Sequence, residues 1–208
     1  MEIKDLEISS DTFISIMQDK ATRYCYILGA GASVESGIPS GESLATKFRV
    51  ELKSYNDNDV NKWKYNLNIT KSDEDLTYSE LYDLRYYNRQ HEGVHFISEI
   101  MEKSEPSIGY YFLTEQLIDK NNIVITTNFD NLIEKSLSIY QDIHCRVVFN
   151  EELARYINLD SKKPQIIKPH GDAMFAPKSS SIDVNKLSKK WVNVLNRTFT
   201  IDGTIHLV

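Results

Sequence analysis

Three short apolar runs in this chain are each followed by a small polar motif. The pairs of run and motif are Tyr24–Leu28 with Gly29–Ser33, Ile123–Thr127 with Asn128–Asp130, and Gln165–Lys168 with His170–Asp172. Apolar runs of this length that stop at glycine or polar residues are typical of strands buried in a parallel sheet. Because ligands bind beyond the carboxyl ends of the strands in such a sheet, the three motifs predict one shared ligand site at its edge.

Around these strands, apolar residues recur at helical spacing. The repeating positions are Phe13, Ile16 and Met17; Leu44, Phe48 and Leu52; Tyr110, Leu113 and Leu117; Ile133, Leu137 and Tyr140; and Leu187, Trp191 and Leu195. Two further runs, Cys145–Phe149 and Thr204–Val208, are strand-like. Strands that alternate with helices predict a Rossmann-like α/β fold, in which a mostly parallel sheet is flanked by helices.

Residues 54–107 interrupt this alternation. They are polar and rich in tyrosine, and they contain no good strand-like run. Their helically spaced positions are Leu81, Leu84 and either Tyr87 or Asn88, and then Phe96, Ile97 and Ile100. We therefore interpret residues 1–208 as one domain with a small helical insert at 54–107.

Composition and charge argue against several classes of protein. The net charge of −6 does not favour a broad nucleic-acid surface, and no apolar run approaches the roughly 20 residues of a membrane span. The N-terminus lacks the basic and apolar regions of a signal peptide. With only Cys25 and Cys145, neither a disulfide framework nor a four-cysteine zinc site can form. We expect a cytoplasmic protein whose domain binds neither membranes nor nucleic acid directly.

The glycine-rich motif has the composition of a phosphate-binding turn. Gly29-Ala30-Gly31-Ala32-Ser33 can turn tightly and bring backbone N–H groups close to a pyrophosphate, and the positive end of a following helix attracts anions. The third glycine of the usual dinucleotide fingerprint is missing. The motif is therefore equally compatible with a simple tight turn that binds no ligand.

The wider sequence around all three motifs resembles the sirtuin family. The string from Gly29 to Gly37-Ile38-Pro39 is similar to the family's first signature, and Thr127-Asn128-Phe129-Asp130 is similar to its second. His170-Gly171 resembles the third signature, which carries the catalytic histidine. The variants Thr-Thr-Asn-aromatic-Asp and Pro-His-Gly-Asp look closest to the bacterial sirtuin-like NAD hydrolases of antiphage defence.

This resemblance implies that NAD is bound as the substrate and that no metal is needed. The NAD-binding residues that it implies are Gly29, Ala30, Gly31, Ala32, Ser33, Gly37, Ile38, Pro39, Thr127, Gly171 and Asp172. The catalytic residues that it implies are Asn128, Asp130 and His170. It also implies a role in antiphage defence, with a homo-oligomer or a companion subunit, since uncontrolled loss of NAD would kill the host.

Three departures from the deacylating sirtuins favour hydrolysis of NAD over protein deacylation. The Asp-Phe-Arg that follows the proline in those enzymes is replaced here by Ser40-Gly41-Glu42. The structural zinc cysteines are absent, and no acyl-lysine tunnel segment follows His170. The family normally has another nucleotide-binding turn beyond the position of Val208, so we expect that a longer protein is truncated here.

The implied catalytic residues suit cleavage of the bond between nicotinamide and ribose. The transition state resembles an oxocarbenium ion, as in glycoside hydrolysis, and nicotinamide leaves as a neutral molecule. Asn128 can position water or the ribose, and Asp130 can supply negative charge. A histidine such as His170, with an unperturbed pKa of about 6.5, can accept a proton. Helix-capping roles for Asp130 and Ser33 are the structural alternatives.

Two other functions stay open on the sequence alone. The same pocket could bind NAD or ADP-ribose as a sensor without hydrolysing it. The segment His91–His95 matches the His-Glu-any-any-His pattern of zinc metalloproteases, which places two imidazoles one helical turn apart. Gly93 is expected to weaken that helix, and no third ligand is evident, so we interpret the segment as a solvated helix end.

Overall fold

Five parallel strands form one sheet in the computed structural model, which describes residues 9–18, 23–119, 123–158, 161–172, 189–199 and 204–207. The strands are β1 (Arg23–Leu28), β2 (Ile123–Thr126), β3 (Arg146–Val148), β4 (Gln165–Ile167) and β5 (Thr204–Leu207). Their order across the sheet is β3-β4-β2-β1-β5, and every neighbouring pair is parallel. The predicted Rossmann-like sheet is therefore confirmed.

Strand register brings the ends of the three central strands to one edge. Leu28 at the end of β1 pairs with Thr126 at the end of β2, and Ile125 of β2 pairs with Ile167 at the end of β4. All four residues of β2 are buried. A strand that is covered on both faces needs a continuous apolar sequence, which explains why these runs do not alternate with polar residues.

Helices cover both faces of the sheet. The α-helices of the described residues are α1 (Ser10–Gln18), α2 (Gly41–Leu52), α3 (Asp57–Asn66), α4 (Tyr78–Arg85), α5 (Gln90–Glu102), α6 (Ile108–Asp119), α7 (Leu132–Gln141) and α8 (Lys189–Phe199). The predicted helices and strands are present, with small differences at their ends. Leu187 and Val208, which were included in the last predicted elements, lie outside the described residues.

The two faces of the sheet contribute to two separate apolar clusters. Val124 and Ile166 belong to the larger cluster, which also contains Phe48 of α2 and Leu132 of α7. Ile123, Ile125 and Ile167 belong to the smaller cluster, together with Trp191 of α8. This division follows from the geometry of strands, in which successive side chains point to opposite faces.

A 3₁₀ helix, Ala30–Ser36, lies between β1 and α2 where the sequence predicts only a turn. Gly37 ends it in the left-handed conformation, with φ of 87°, which glycine adopts without a steric penalty. Ser40 then caps α2, because its hydroxyl accepts a 3.1 Å hydrogen bond from the Ser43 N–H. The glycine-rich motif is therefore a short helical segment that runs directly into the first long helix.

Residues 54–107 form α3, α4 and α5 and contain no strand. The buried side chains of α4 and α5, among them Leu81, Leu84 and Ile97, pack in the same cluster as Phe48 of α2. These helices therefore share the core of the sheet domain. No helix in the described ranges is long and apolar enough to span a membrane.

Gly93 lies near the start of the continuous helix α5, so the helix is not interrupted at this glycine. The interpretation of His91–His95 as a solvated helix end is confirmed, since both histidines are exposed in the first turns of α5. A Cβ atom at Gly93 would lie 2.5 Å from the Tyr82 hydroxyl and 2.9 Å from Tyr86 Cγ. Only glycine allows α5 to approach these rings so closely. Packing with α4 thus outweighs the low helix propensity of glycine.

Candidate functional site

The loops that follow β1, β2 and β4 line one cavity of about 290 Å³ at the carboxyl edge of the sheet. The residues that the three motifs contribute are Ala30, Ser33, Ile38 and Pro39, then Thr127, Asn128, Phe129 and Asp130, and finally His170. Small-molecule sites have volumes of roughly 300–1,000 Å³, so this cavity lies just below the lower limit of that range. The predicted meeting of three loops is thus present in the fold.

The remaining wall comes from α2, α4 and α5, which sequence analysis did not assign to the site. Leu44 extends from α2, Tyr78 and Ser79 from the start of α4, and Ile97 and Met101 from α5. Most of these side chains are apolar, in contrast to the polar residues of the three motifs. The cavity therefore has one polar side at the strand ends and one apolar side formed by helices.

Ser33 is hydrogen-bonded to three other side chains at the polar side of the cavity. Its buried hydroxyl donates a 2.7 Å hydrogen bond to Oδ2 of Asp130 and accepts one of 2.9 Å from Nδ2 of Asn128. The Tyr110 hydroxyl lies 2.8 Å away. Since the single proton of the serine is directed to Asp130, Tyr110 must donate to Ser33. Ser33 does not cap a helix, because it lies within the 3₁₀ helix.

Asp130 is a buried carboxylate with two structural partners. Oδ2 accepts from Ser33, and Oδ1 accepts a 3.2 Å hydrogen bond from the Leu132 N–H at the start of α7. The N-cap residue of α7 is Asn131, so Asp130 is not itself the N-cap, although its carboxylate accepts from the first N–H of the helix. Its charge, after burial itself, raises the pKa of the Tyr110 phenol, which keeps that hydroxyl protonated as a donor.

Asn128 connects the first and second motifs. Its Nδ2 group donates to the carbonyl oxygen of Gly29 at 2.9 Å and to Ser33 Oγ at 2.9 Å. Its own backbone N–H donates to Thr126 Oγ1 at 3.0 Å. The side-chain amide is thus held between the end of β1 and the 3₁₀ helix, with both contacts fixing its orientation.

His170 lies at the third position of a tight turn after β4. The Gly171 N–H donates to the Lys168 carbonyl at 3.0 Å, with Pro169 at the second position, where proline is favoured in such turns. Gly171 has a φ of 89°, in the left-handed region that favours glycine. The turn places the half-buried His170 beside Asn128 and Asp130 along one cavity.

Several residues assigned to NAD binding do not line the cavity. These are Gly29, Gly31, Ala32, Gly37, Gly171 and Asp172, of which the first four belong to or flank the 3₁₀ helix. A Cβ atom at Gly29 or Gly31 would meet nothing within 4 Å, so this stretch is open on its outer side. Asp172 instead accepts a 2.7 Å hydrogen bond from Lys168.

Lys168 is a buried charge that sequence analysis missed. Its ammonium contacts Asp172 at 2.7 Å and Glu134 at 2.6 Å, and its side chain is 1% exposed. Although burial lowers the pKa of this lysine, the two carboxylates outweigh it and raise the pKa, so Lys168 is charged. A lysine at the end of an apolar strand, four residues before an aspartate, was the available signal.

The metalloprotease pattern has no support within the described ranges. His91 and His95 are exposed on α5, and neither lines the cavity. Among the residues that the structure describes, no group of three histidine, cysteine, aspartate or glutamate side chains could hold a metal ion. The two histidines therefore lack a third ligand in this part of the chain.

One comparison with known proteins covers the second and third motifs. Residues 122–193 match the family model of the SIR2-like domain, a segment that contains Asn128, Asp130 and His170. Curated protein sequences gave no match. Similar solved structures include a Sir2 homolog–NAD complex, with a TM-score of 0.40 and 17% identity over 80% of this chain and 46% of that chain.

Two further structures are similar to the same extent. A mutant Sir2 homologue in complex with ADP-ribose has a TM-score of 0.38 and 16% identity, and covers 79% of this chain and 47% of that chain. Sir2 bound to an acetylated peptide has a TM-score of 0.38 and 15% identity, with 80% and 47% covered. The chain thus spans about half the length of these structures. The family match is thus limited to residues 122–193, which are similar to a SIR2-like domain.

Proposed function

We propose that this protein binds NAD in the cavity and hydrolyses it to nicotinamide and ADP-ribose. The observation that carries the proposal is the convergence of three distant motifs. Ser33, Asn128, Asp130 and His170 all line one cavity, although they come from loops after three different strands. If each of these residues only stabilised the fold locally, they would not need to lie together at the same edge of the sheet.

The cavity has the two environments that this reaction requires. Its apolar side, with Leu44, Ile97 and Met101, suits a flat and uncharged leaving group such as nicotinamide. Its polar side contains a buried carboxylate, Asp130, whose negative charge would stabilise the positive charge that develops on the ribose. A preorganised charge in a water-poor site stabilises such a transition state more strongly than the same charge does in water.

The proton and electron balance of the proposed step is simple. The bond between ribose C1′ and the nicotinamide nitrogen breaks, and its electrons leave with neutral nicotinamide. A water oxygen bonds to C1′, and His170 accepts the proton that this water loses. Asn128 holds the reacting groups in place, since its amide is itself fixed by Gly29 and Ser33.

Local structure supports hydrolysis over protein deacylation. Ser40-Gly41-Glu42, which replaces the Asp-Phe-Arg of deacylating sirtuins, forms the N-cap and first turn of α2. Glu42 is exposed there and does not line the cavity. An acidic side chain at this position cannot supply the positive charge of the missing arginine. By the same resemblance we propose a role in antiphage defence, exerted by NAD depletion and restrained by assembly with further copies or a companion subunit.

The deciding experiment is to incubate the purified protein with NAD and to quantify nicotinamide and ADP-ribose by chromatography. Equal amounts of both products, lost on substitution of His170, support hydrolysis. NAD binding by calorimetry without release of nicotinamide, in the presence of a candidate activator as well, would instead support the sensor function. Transfer of an acetyl group from an acetylated peptide would support deacylation.

A further inference from the structure

All three N–H donors of the Lys168 ammonium have acceptors within the protein. An ammonium group has three N–H donors. Here they have three acceptors, which are the backbone carbonyl of Asp130, Oδ2 of Asp172 at 2.7 Å and Oε1 of Glu134 at 2.6 Å. The lysine lies at the end of β4, and its side chain is almost completely buried.

These acceptors belong to separate parts of the fold. Asp130 lies in the loop after β2, whereas Asp172 directly follows the turn that carries His170. Glu134 lies on α7, outside both loops. The ammonium of Lys168 therefore joins the second motif to the third, in addition to its contact with the helix.

Lys168 also fixes the turn through its backbone. Its N–H donates to the Val148 carbonyl at 2.8 Å, which extends the sheet, and its carbonyl accepts from the Gly171 N–H at 3.0 Å. With its side chain on Asp172, Lys168 thus holds both ends of the segment on which His170 lies. In the sequence, His170 is midway between the two members of this ion pair.

We infer that the Lys168–Asp172 ion pair positions His170 against Asp130 and Asn128 without contacting the nucleotide. Asp172 then acts through Lys168 as a positioning residue and does not bind NAD. Buried charges are retained only when they are paired, so loss of one carboxylate frees the ammonium to move toward the other. The expected change in kcat rests on the proposed hydrolase function. The position of His170 relative to the ion pair does not depend on that function.

The test compares Asp172→Asn with Glu134→Gln. Each variant removes one of the two carboxylates on Lys168 and keeps the size of the side chain, but only Asp172 directly follows the turn that carries His170. The imidazole resonance of His170 is followed by NMR of histidine-labelled protein and assigned with His170→Gln. Thermal unfolding is measured in parallel, together with kcat and KM for NAD.

We expect Asp172→Asn to displace the His170 resonance and to lower kcat by about 10- to 100-fold with little change in KM, as for a catalytic group moved by about 1 Å. Glu134→Gln should leave the resonance in place. Asp172→Glu, which keeps the charge but lengthens the side chain, should displace the resonance by a smaller amount, and it replaces Asp172→Asn if that variant does not fold.

An unchanged His170 resonance in folded Asp172→Asn, or equal displacement in Glu134→Gln, would overturn the inference. The kinetic and spectroscopic results separate it from the proposed function. If the unsubstituted protein fails to hydrolyse NAD but Asp172→Asn alone displaces the resonance, the positioning pair stands and the hydrolase proposal falls.

Discussion

The Ser33 hydroxyl donates a 2.7 Å hydrogen bond to the Asp130 carboxylate across 97 residues of sequence. Both side chains are buried, at 1% and 4% exposure. The serine also accepts from Asn128 and Tyr110, so one small hydroxyl serves three neighbours. Its removal therefore leaves several buried polar groups without their partner at the same time.

Ser33→Ala should lower the free energy of unfolding by about 1–3 kcal/mol, the usual cost of leaving buried polar groups unsatisfied. It should also lower NAD turnover, because Asn128 and Asp130 lose their common anchor. Urea denaturation and the nicotinamide assay measure the two effects.

Ser36→Ala is the matched control for that experiment. Ser36 is a buried serine of the same 3₁₀ helix, but its hydroxyl accepts from the Ser107 N–H at 3.0 Å and does not line the cavity. We expect it to be destabilising with little effect on turnover. Equal loss of turnover in both variants would contradict a specific role for Ser33.

His170→Ala and Asn128→Ala should keep the fold and abolish most nicotinamide release. A positioned proton transfer contributes typically about 10²–10⁴-fold, which sets the expected loss for His170→Ala. Circular dichroism checks the fold, and steady-state kinetics measures kcat. His144→Ala removes an exposed histidine outside the cavity and should behave like the unsubstituted protein. Retained NAD turnover in both His170→Ala and Asn128→Ala would contradict the proposed mechanism.

Glu80 should make the stability of the helical region depend on pH. Burial raises its pKa, but hydrogen bonds from the Thr77 backbone and from Lys71 outweigh burial and lower the pKa below the ordinary value of 4.5. A carboxylate whose folded pKa is lowered stabilises the protein above its unfolded pKa, and this contribution is lost as pH falls through the folded value.

Glu80→Gln should therefore be less stable than the unsubstituted protein at pH 7, and the difference should vanish in acid below the folded pKa. Urea denaturation between pH 7 and pH 3 measures it. The exposed Glu74→Gln is the control. A difference that stays constant over this range would show that the charge of Glu80 contributes nothing.

Gly93→Ala should destabilise the protein although alanine is the better helix former. The new methyl group would overlap the Tyr82 ring, with Cβ 2.8 Å from its Cζ atom. Overpacking of this kind costs about 1–3 kcal/mol, more than the roughly 1 kcal/mol by which helix propensity favours alanine.

Gly109→Ala in α6 provides the opposite case. Its Cβ would lie 3.7 Å from Ser107 Oγ, an ordinary contact, so this substitution should be neutral or stabilising. Thermal unfolding of both variants gives the comparison. A Gly93→Ala protein as stable as Gly109→Ala would contradict the close packing of α4 and α5.

Local sequence patterns were sufficient to predict the sheet and the residues on the polar side of the cavity. Apolar runs that end in glycine, asparagine or proline predicted β1, β2 and β4, and parallel pairing then placed Ser33, Asn128 and His170 at one edge. The pairing of Lys168 with Glu134 was not predictable, because lysine is normally exposed and the contact joins a strand to a helix. Met101 and Tyr78 reach the cavity only through tertiary packing, which their helical spacing does not reveal.

The parallel arrangement of the strands has a consequence for synthesis of the chain. Ser33 and Asn128 are 95 residues apart, and His170 follows later still. A ribosome must therefore translate past His170 before the cavity has all its walls, and no shorter nascent product can assemble it. Any activity of this cavity is therefore delayed until translation has passed every part of the site.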